Sequence, residues 1–279
     1  MNTWILSHEP LLRLCFFLGI FFIMANLELI VPRRQPQNNT LGIKRLNRWF
    51  NNLSLITLSS LIAKIVLPIG LASFAIYCQQ SEWGLFNQDI ISSNISYAAL
   101  FIFSLLIFDF IIYWQHRIFH KVQWLWRLHQ VHHSDTAFDV TTGIRFHPIE
   151  ILLSIAIKFA VVLIFGFSAE SIIVFEILLN ALALFNHSNV QIPLTIDKQV
   201  RKIIVTPDMH RVHHSTIPKE HNSNFGFNIS LWDRLFSSYQ DQPELGHKNI
   251  EIGLNAFTDS DKPNRLIQLL LMPFKPPNN

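Results

Sequence analysis

Long apolar runs alternate with short polar segments along the chain, and the runs predict membrane helices. The five runs are Leu11–Val31, Leu53–Cys78, Ile95–Trp114, Ile149–Phe167 and Ala169–Phe185. A helix needs about 20 mainly apolar residues to span a bilayer, and the first three runs reach that length. The last two runs are shorter and meet at Gly166–Ser168, so they predict either a tight transmembrane hairpin or a partly inserted one. We therefore expect four or five transmembrane helices.

The first run resembles a signal peptide in its position, but its flanks do not fit one. No basic segment precedes it and no small-residue cleavage site follows it. We interpret it as a transmembrane helix with Arg13 and Glu28 near its ends. The second run is interrupted by Lys64 and Pro68, and Lys64 can face the bundle interior or extend to the membrane surface.

The polar segments between the runs predict the orientation of the protein. Residues 32–52 are predicted to be a basic loop. Its cationic residues are Arg33, Arg34, Lys44, Arg45 and Arg48. Neither the residues before Leu11 nor the loop 79–94 contain Lys or Arg. The positive-inside rule therefore places loop 32–52 in the cytoplasm, and the third run then ends on the cytoplasmic side. A hairpin at 149–185 begins and returns on that same side.

Three histidine-rich motifs follow the third run and the hairpin. They are H-x3-H at His116 and His120, H-x2-H-H at His129, His132 and His133, and H-x2-H-H at His210, His213 and His214. On a helix, positions i, i+3 and i+4 share a face, so the rings within each motif point the same way. The topology also brings His147 and His187 to the cytoplasmic side. Neutral imidazole is a common ligand of transition metals, and this set suits two ions with four or five ligands each.

The composition fits a membrane protein and excludes some other classes. Half of the residues are hydrophobic and only 15% are charged, which is low for a soluble domain. The formal net charge of +3 is too small to indicate binding to nucleic acid. The two cysteines lie in apolar runs and form no CxxC motif, so there is no disulfide framework.

Several familiar chemistries do not fit the motifs. A zinc peptidase needs Glu directly after the first histidine of its motif, whereas here that position is Arg117, Gln130 or Arg211. The chain has no GxGxxG for a flavin or nicotinamide and no His-Pro-Gly-Gly for a haem domain. Chemistry with O2 belongs to iron, copper or flavin. Electrons for such chemistry would therefore come from a separate donor, such as a cytochrome b5-like protein, a ferredoxin or a reductase.

From about His116 to Phe236 the chain resembles the fatty acid hydroxylase/sterol desaturase superfamily of integral membrane oxygenases. The resemblance includes the three histidine motifs, the stretch D-V-T-T-G-I-R-F-H-P and the closing N-F-G-F-N and L-W-D-R-L-F. It implies a non-haem centre of two iron ions that uses O2 and two external electrons to oxidise a C–H bond of a lipid. Zinc could replace iron in overexpressed protein. Hydroxylation, desaturation and ether cleavage share the same ligands, so all three remain open.

The resemblance also implies a set of metal ligands. They are His116, His120, His129, His132, His133, His187, His210, His213 and His214. Some members have a further histidine four residues after the one that matches His187, but here that residue is Gln191. His147 could fill this gap, although a His-Pro pair at a helix start also suits a capping or supporting role.

Carboxylates near such a centre would orient the rings and balance its charge. The candidates are Asp135, Asp139, Glu150 and Asp208. Each of them also suits a solvated loop or a helix cap. Residues 222–226 are expected to form a turn that positions the last motif, whereas His221 and His247 are expected at the surface.

The sequence thus predicts an all-α integral membrane protein with a cytoplasmic, histidine-rich helical cap that holds a di-metal site. We divide it into residues 1–94, with the first helices and the basic loop, residues 95–240, the catalytic part, and residues 241–279, a tail at the membrane surface. A bacterial inner membrane and an endoplasmic reticulum are both compatible. One alternative function is a metal carrier, but a carrier would have ligands within the spans near the midplane. Another is a catalytically silent relative with a structural zinc site.

Overall fold

A computed structural model describes residues 3–35, 41–88, 95–255 and 265–275. Its helices, numbered along the chain, are α1 Thr3–Ser7, α2 Glu9–Ile30, α3 Leu41–Val66, α4 Leu71–Gln80, α5 Tyr97–Lys121, α6 Gln123–His133, α7 Pro148–Phe165, α8 Ala169–Asn186, α9 Leu194–Val200, α10 Pro207–His213, α11 Pro218–His221, α12 Leu231–Leu235, α13 Gly246–Asn249 and α14 Leu266–Leu271. Short 3-10 turns occur at Leu85–Asn87, Thr142–Ile144 and Met272–Phe274. Within these ranges the fold is all-helical apart from three isolated β-bridges, as predicted. Parts of the loops 32–52 and 79–94 and of the tail lie outside the described residues.

Five helical segments are long and apolar enough to cross a membrane, which agrees with the predicted number. They are Glu9–Ile30, Arg45–Gln80, Tyr97–Lys121, Pro148–Phe165 and Ala169–Asn186. The last two have 18 residues each, or about 27 Å of helix, so the hairpin consists of two helices of nearly full membrane length.

The hairpin turns at Gly166, which ends α7 in the left-handed conformation with φ 72°. A side chain at this position would also approach Asn87 Nδ2 to 2.6 Å, so the turn requires glycine for both reasons. Ser168 then caps α8 by accepting a hydrogen bond from the backbone N–H of Ser171.

The prediction of a loop over residues 32–52 is wrong for its second half, because α3 begins at Leu41. Between Ile43 and Leu67 the sequence has no Gly or Pro to stop a helix, and two of the charges that suggested a loop, Arg45 and Arg48, are paired with carboxylates. The second apolar run is also divided into α3 and α4. Pro68 lacks a backbone N–H and disfavours helix at the residue before it, and α4 restarts after Gly70.

Buried ion pairs hold α2 and α3 against the loop that follows the second histidine motif. Arg48 on α3 is paired with Asp135 at 2.7 Å and also with Asp139. Arg45 is paired with Glu28 of α2 at 3.0 Å. Glu28 in turn accepts hydrogen bonds from the backbone N–H groups of Val140 and Asn189. The charges of the basic segment therefore connect four separate parts of the chain at one end of the bundle.

A second ion cluster lies inside the bundle, away from that end. Glu176 on α8 is paired with Arg13 of α2 at 2.6 Å and with Lys158 of α7. Ionisable groups within membrane helices are costly unless they are paired, so this cluster fixes how α2 packs against the hairpin.

The C-terminal segment packs against the protein along one side. Leu269 of α14 is fully buried with Leu55 of α3 and Val131 of α6. Ile267 and Phe274 remain exposed. The predicted location of this segment at the membrane surface stays a prediction, as does the division of the chain into three parts.

Replacing Glu176 with Gln should destabilise the bundle, because Arg13 and Lys158 would lose their shared carboxylate. Breaking one partner of a buried pair typically costs about 3–5 kcal/mol. We expect a clear fall in the apparent melting temperature of the detergent-solubilised protein. The matched control is Glu244→Gln at an exposed site, which should leave the melting temperature unchanged. Equal melting temperatures for the two variants would contradict a structural role for the cluster.

Candidate metal centre

The first two histidine motifs come from consecutive helices. His116 and His120 lie in the last two turns of α5 and on the same face of it. The chain then leaves the helical conformation at Val122, which ends α5 and precedes α6. This break lets α6 fold back so that His129, His132 and His133 face the first pair.

The third motif and His187 come from the hairpin and the segment after it. His187 is the residue that ends α8. Helix α10 begins with Thr206 as its cap and Pro207 in its first turn, two strong signals for a helix start. Its seven residues carry His210 and His213, and His214 follows directly.

The structure brings all nine predicted ligands together in two adjacent groups. The five-histidine cluster comprises His116, His120, His129, His133 and His213, and the four-histidine cluster comprises His132, His187, His210 and His214. Within each cluster, one ring nitrogen from every member lies within 4.8 Å of the others. The rings of His133 and His214 belong to different clusters and stack with their centroids 4.4 Å apart. The two groups are therefore adjacent, and each of them could hold a metal ion.

In four of the rings, a hydrogen bond at the outer nitrogen, the one that faces away from the cluster, fixes the orientation of the ring. His116 Nδ1 lies 2.8 Å from the carbonyl oxygen of Phe225, and His213 Nδ1 lies 2.7 Å from that of Ser223. His187 Nδ1 lies 2.8 Å from the carbonyl oxygen of Ala183. A carbonyl oxygen can only accept, so each Nδ1 carries the proton and each Nε2 has a free lone pair that points into the site. His129 is fixed in the same way by a carboxylate, Glu150.

The inward nitrogens fit metal ions. In the described part of the protein, several ring nitrogens are buried without a hydrogen-bond partner. They are Nε2 of His116, His129 and His213 and both ring nitrogens of His133 and His214. His187 Nε2 lies 3.0 Å from Nε2 of His132 and from Nε2 of His210. Two nitrogens that bind one ion at about 2.1 Å lie about 3.0–3.4 Å apart, so this spacing suits a shared ion.

The electrostatics of the site favour neutral rings. Burial lowers the pKa of His129 and of His187 to about 3. Burial, with repulsion from neighbouring imidazoles, also lowers the pKa of the other rings outside the long helices well below the ordinary value. These rings are His132, His133, His210, His213 and His214. At neutral pH their lone pairs are therefore available to a metal without loss of a proton.

Glu150 supports the five-histidine cluster directly. It lies in the first turn of α7 and is buried, and its Oε1 is 2.7 Å from His129 Nδ1. A carboxylate that accepts from the outer nitrogen of a ligating histidine fixes the ring and makes it a stronger donor to the metal.

The other predicted carboxylates pair with arginines. Asp135 and Asp139 both pair with Arg48. Asp208 pairs with Arg33 at 3.0 Å and with Arg211. These three carboxylates therefore hold the chain around the histidine motifs through arginines, and their ion pairs do not involve the ligand rings.

His147 lies outside both clusters. Its Nδ1 accepts from the backbone N–H of Ile149 and so caps α7, while its Nε2 lies 3.2 Å from the carbonyl oxygen of Leu270. Both nitrogens are thus used by the backbone, in the capping arrangement that the His-Pro pair suggested.

Two histidines that were expected at the surface are not free there. His247 is only 5% exposed and lies 3.5 Å from Asp208. His221 is half-buried, and its ring lies 4.6 Å from that of His133 and 4.9 Å from that of His120. Both lie in polar stretches without helical periodicity, so their burial follows from long-range packing that sequence patterns do not report.

The turn at 222–226 positions the rings through its backbone, and Asp233 positions the turn. Asp233 of α12 accepts hydrogen bonds from the backbone N–H groups of Phe225 and Gly226 at 2.8 and 2.7 Å. The carbonyl oxygens of Ser223 and Phe225 then accept from two ligand rings. Burial raises the pKa of Asp233 to about 6, and the hydrogen bonds from Ser238 and the two amides oppose this rise. The sequence did not predict this role of Asp233, because it shows the L-W-D-R-L-F motif but not which groups form hydrogen bonds with it.

Aromatic side chains close the four-histidine cluster. Phe146 stacks on His132 with ring centroids 4.4 Å apart. Phe138 lies 5.0 Å from His214 and 5.8 Å from His187, and its backbone has the unusual φ of 48°. Phe227 lies 6.4 Å from both His187 and His210. The surroundings of this cluster are therefore apolar.

Comparisons with known proteins agree with the geometry. The family model described as fatty acid hydroxylase matches residues 101–238. Ornithine lipid hydroxylase OlsE of Rhizobium tropici is 31% identical over 154 residues, which cover 54% of this chain and 45% of that protein. Alkylglycerol monooxygenase of Homo sapiens is 27% identical over 243 residues, which cover 87% of this chain and 50% of that protein.

Methylsterol monooxygenase 2-2 of Arabidopsis thaliana is 36% identical over 88 residues, which cover 31% of each chain. The chain thus spans half or less of the length of these curated relatives. No solved structure matches the chain significantly.

Glu150→Gln should weaken metal binding at the five-histidine cluster while keeping the shape of the side chain. The neutral amide is a weaker acceptor for His129 Nδ1–H, and losses of such partners typically cost about 10–100-fold in metal affinity. Equilibrium competition between the purified protein and a chromophoric chelator measures this. Glu251→Gln, at an exposed site, is the control. Unchanged affinity in Glu150→Gln would show that the contact does not support a metal.

Asp233→Asn should loosen the turn that holds His116 and His213. The amide group can accept from one backbone N–H, but its own N–H would face the other. We expect faster loss of metal to a chelator together with a lower melting temperature. Glu244→Gln is the control, because residue 244 is exposed. If both variants retain metal equally, the turn does not position the rings.

Proposed function

Residues 101–238 belong to the fatty acid hydroxylase family, as the histidine motifs predict, and from this premise we propose that the protein is a membrane-bound lipid oxygenase. In this proposal it oxidises a C–H bond of a lipid with O2 and electrons from a separate donor. The relatives named above are hydroxylases or monooxygenases of lipids. The observation that supports the proposal best is the pair of adjacent and largely buried histidine clusters.

We propose two iron ions as the cofactor, with the nine clustered histidines as ligands. Bound iron would supply the activation of O2 that side chains alone cannot provide. The five-histidine cluster would hold one ion and the four-histidine cluster the other. Imidazole ligands suit iron as well as zinc, so overexpressed protein could contain zinc.

The residues around the clusters would hold the rings and limit access of water. The carbonyl groups of Ala183, Ser223 and Phe225 keep the protons of His187, His213 and His116 on Nδ1. Glu150 does the same for His129. The rings of Phe138 and Phe146 cover the four-histidine cluster and leave it little room for bulk water. Such an apolar wall suits a hydrocarbon chain as the part of the substrate that is oxidised.

We propose that the substrate is a lipid with a polar end and a long alkyl or acyl chain, and that it enters from the membrane. The names of the relatives mention an ornithine lipid, an alkylglycerol and a methylsterol, which share a hydrocarbon skeleton with a polar group. Hydroxylation, desaturation and ether cleavage all remain compatible with the site. From the distribution of basic residues we propose that the site faces the cytoplasm.

Metal content is the first test. Full-length protein purified in detergent from iron-supplemented cells should contain two irons per chain, spin-coupled in Mössbauer spectra. His132→Ala should lose this signal, because His132 belongs to the four-histidine cluster. His8→Ala is the control. His8 lies at the N-terminal end of α2, where its ring forms hydrogen bonds with Trp4 and Ser7, and it belongs to neither cluster.

One zinc per chain, or stoichiometric metal that His132→Ala does not change, would contradict the di-iron proposal and favour a structural site or a metal carrier. Two zincs would be followed by reconstitution with iron and an assay of lipid oxidation with O2 and a reductant. Failure of that assay with two irons bound would contradict the oxygenase.

A further inference from the structure

A patch of exposed apolar residues lies outside the five long helices. It consists of Ile203, Leu231 and Leu235, whose side chains are 70%, 49% and 61% exposed, and we call it the α12 patch. Leu231 and Leu235 are four residues apart and share a face of α12. Ile203 lies beside them, because its carbonyl oxygen accepts a hydrogen bond from the backbone N–H of Ser230. Contiguous exposed apolar surface on a protein marks an interaction site.

The neighbouring face of α12 packs on the long helix α5. Trp232 Nε1 donates to Asp109 at 2.8 Å, and its ring meets that of Phe110 with centroids 5.1 Å apart. Phe236 meets Trp114 at 5.2 Å. Helix α12 is thus held against the part of α5 that precedes the first histidine motif.

This contact places α12 at the level of the hydrocarbon layer of the membrane. Asp109 is seven residues before His116, which is about 10 Å further along the axis of α5, towards its apolar end. The apolar part of α5, residues 97–114, is about 27 Å long, close to the thickness of the hydrocarbon layer of about 30 Å. Trp232 therefore lies beside a residue within the apolar part of the span.

The patch continues a surface that already faces lipid. On α5, Phe103 is exposed two turns before Phe110 and Leu106 one turn before it, and the ring of Phe110 contacts that of Trp232. The rim of the patch is cationic. Lys202 and Arg234, which adjoin Ile203 and Leu235 in the chain, are exposed, whereas the carboxylates of Asp197 and Asp241 are both paired with the buried Arg201. Apolar residues with a rim of Lys and Arg suit acyl chains with phosphate groups above them.

We propose that α12 and the turn at Ile203 are immersed in the bilayer leaflet next to the histidine clusters, where they contact phospholipid acyl chains. The occupant of the α12 patch is the lipid bilayer, because the patch is continuous with the lipid-facing side of α5 and has a cationic rim. The histidine-bearing part of the protein is therefore partly embedded, and lipid reaches a level about one to two turns of helix from His116. This inference does not depend on the chemistry of the site.

Site-directed fluorescence in lipid tests the proposal. The full chain with Cys15→Ser is reconstituted into vesicles of phosphatidylcholine with phosphatidylglycerol, while the buried Cys78 is retained. Bimane is attached at Leu231→Cys or Leu235→Cys, and at Lys219→Cys, an exposed position on α11, as the control. We expect lipids with a nitroxide on the acyl chain to quench the two α12 positions severalfold more than the control. Aqueous iodide should show the opposite order.

Iodide quenching at Leu231→Cys and Leu235→Cys equal to that of the control, with no more quenching by nitroxide lipid, would overturn the proposal. Such a result would leave the patch as a docking surface for a soluble protein. Size-exclusion profiles and melting temperatures that match the unlabelled protein show that each variant is folded. Because all labelled positions are exposed, a folded protein is expected in each case.

Discussion

Nine imidazole rings, eight of them buried, face one another in two adjacent clusters, and the rest of the structure depends on meeting this constraint. A buried polar atom without a partner costs about 1–3 kcal/mol, and several inward nitrogens of the described site are in that position. Metal ions would relieve this cost by bonding to the lone pairs. The arrangement is useful only if each ring keeps its orientation, so the surrounding groups act mainly on the outer nitrogens.

Support for the rings comes in layers. Backbone carbonyls and Glu150 fix the outer nitrogens, and the carbonyls of Ser223 and Phe225 lie in a turn that Asp233 holds by hydrogen bonds. Further out, Arg48 joins α3 to the loop that follows the second histidine motif, and Glu28 joins α2 to the segment after His187. The segment that looked like a simple basic loop thus helps to hold the site, since its cations neutralise carboxylates that would otherwise be buried unpaired.

The membrane explains where the site lies in the fold. Long apolar helices satisfy their own backbone, so they can carry histidines to one end of the bundle while the ligands remain outside the apolar core. The short helices of the C-terminal half then pack back on α5, where Trp232 reaches a buried aspartate inside the apolar part of that helix. Hydrocarbon-facing surface and histidine clusters consequently meet within a few turns of one helix, a geometry that suits chemistry on lipids.

The sequence alone determined that four or five long apolar helices are present and which histidines share a site, because hydropathy and the spacing of H-x2-H-H act within single elements. It did not determine that α3 begins at Leu41, that His247 is buried, or how the histidines divide into groups of five and four. Nor did it identify Asp233, or the separate roles of Glu150 and Asp208. These features depend on contacts between residues far apart in the chain, such as Glu28 with Asn189 and His116 with Phe225. Only packing of the whole chain creates such contacts, so only the tertiary structure could decide them.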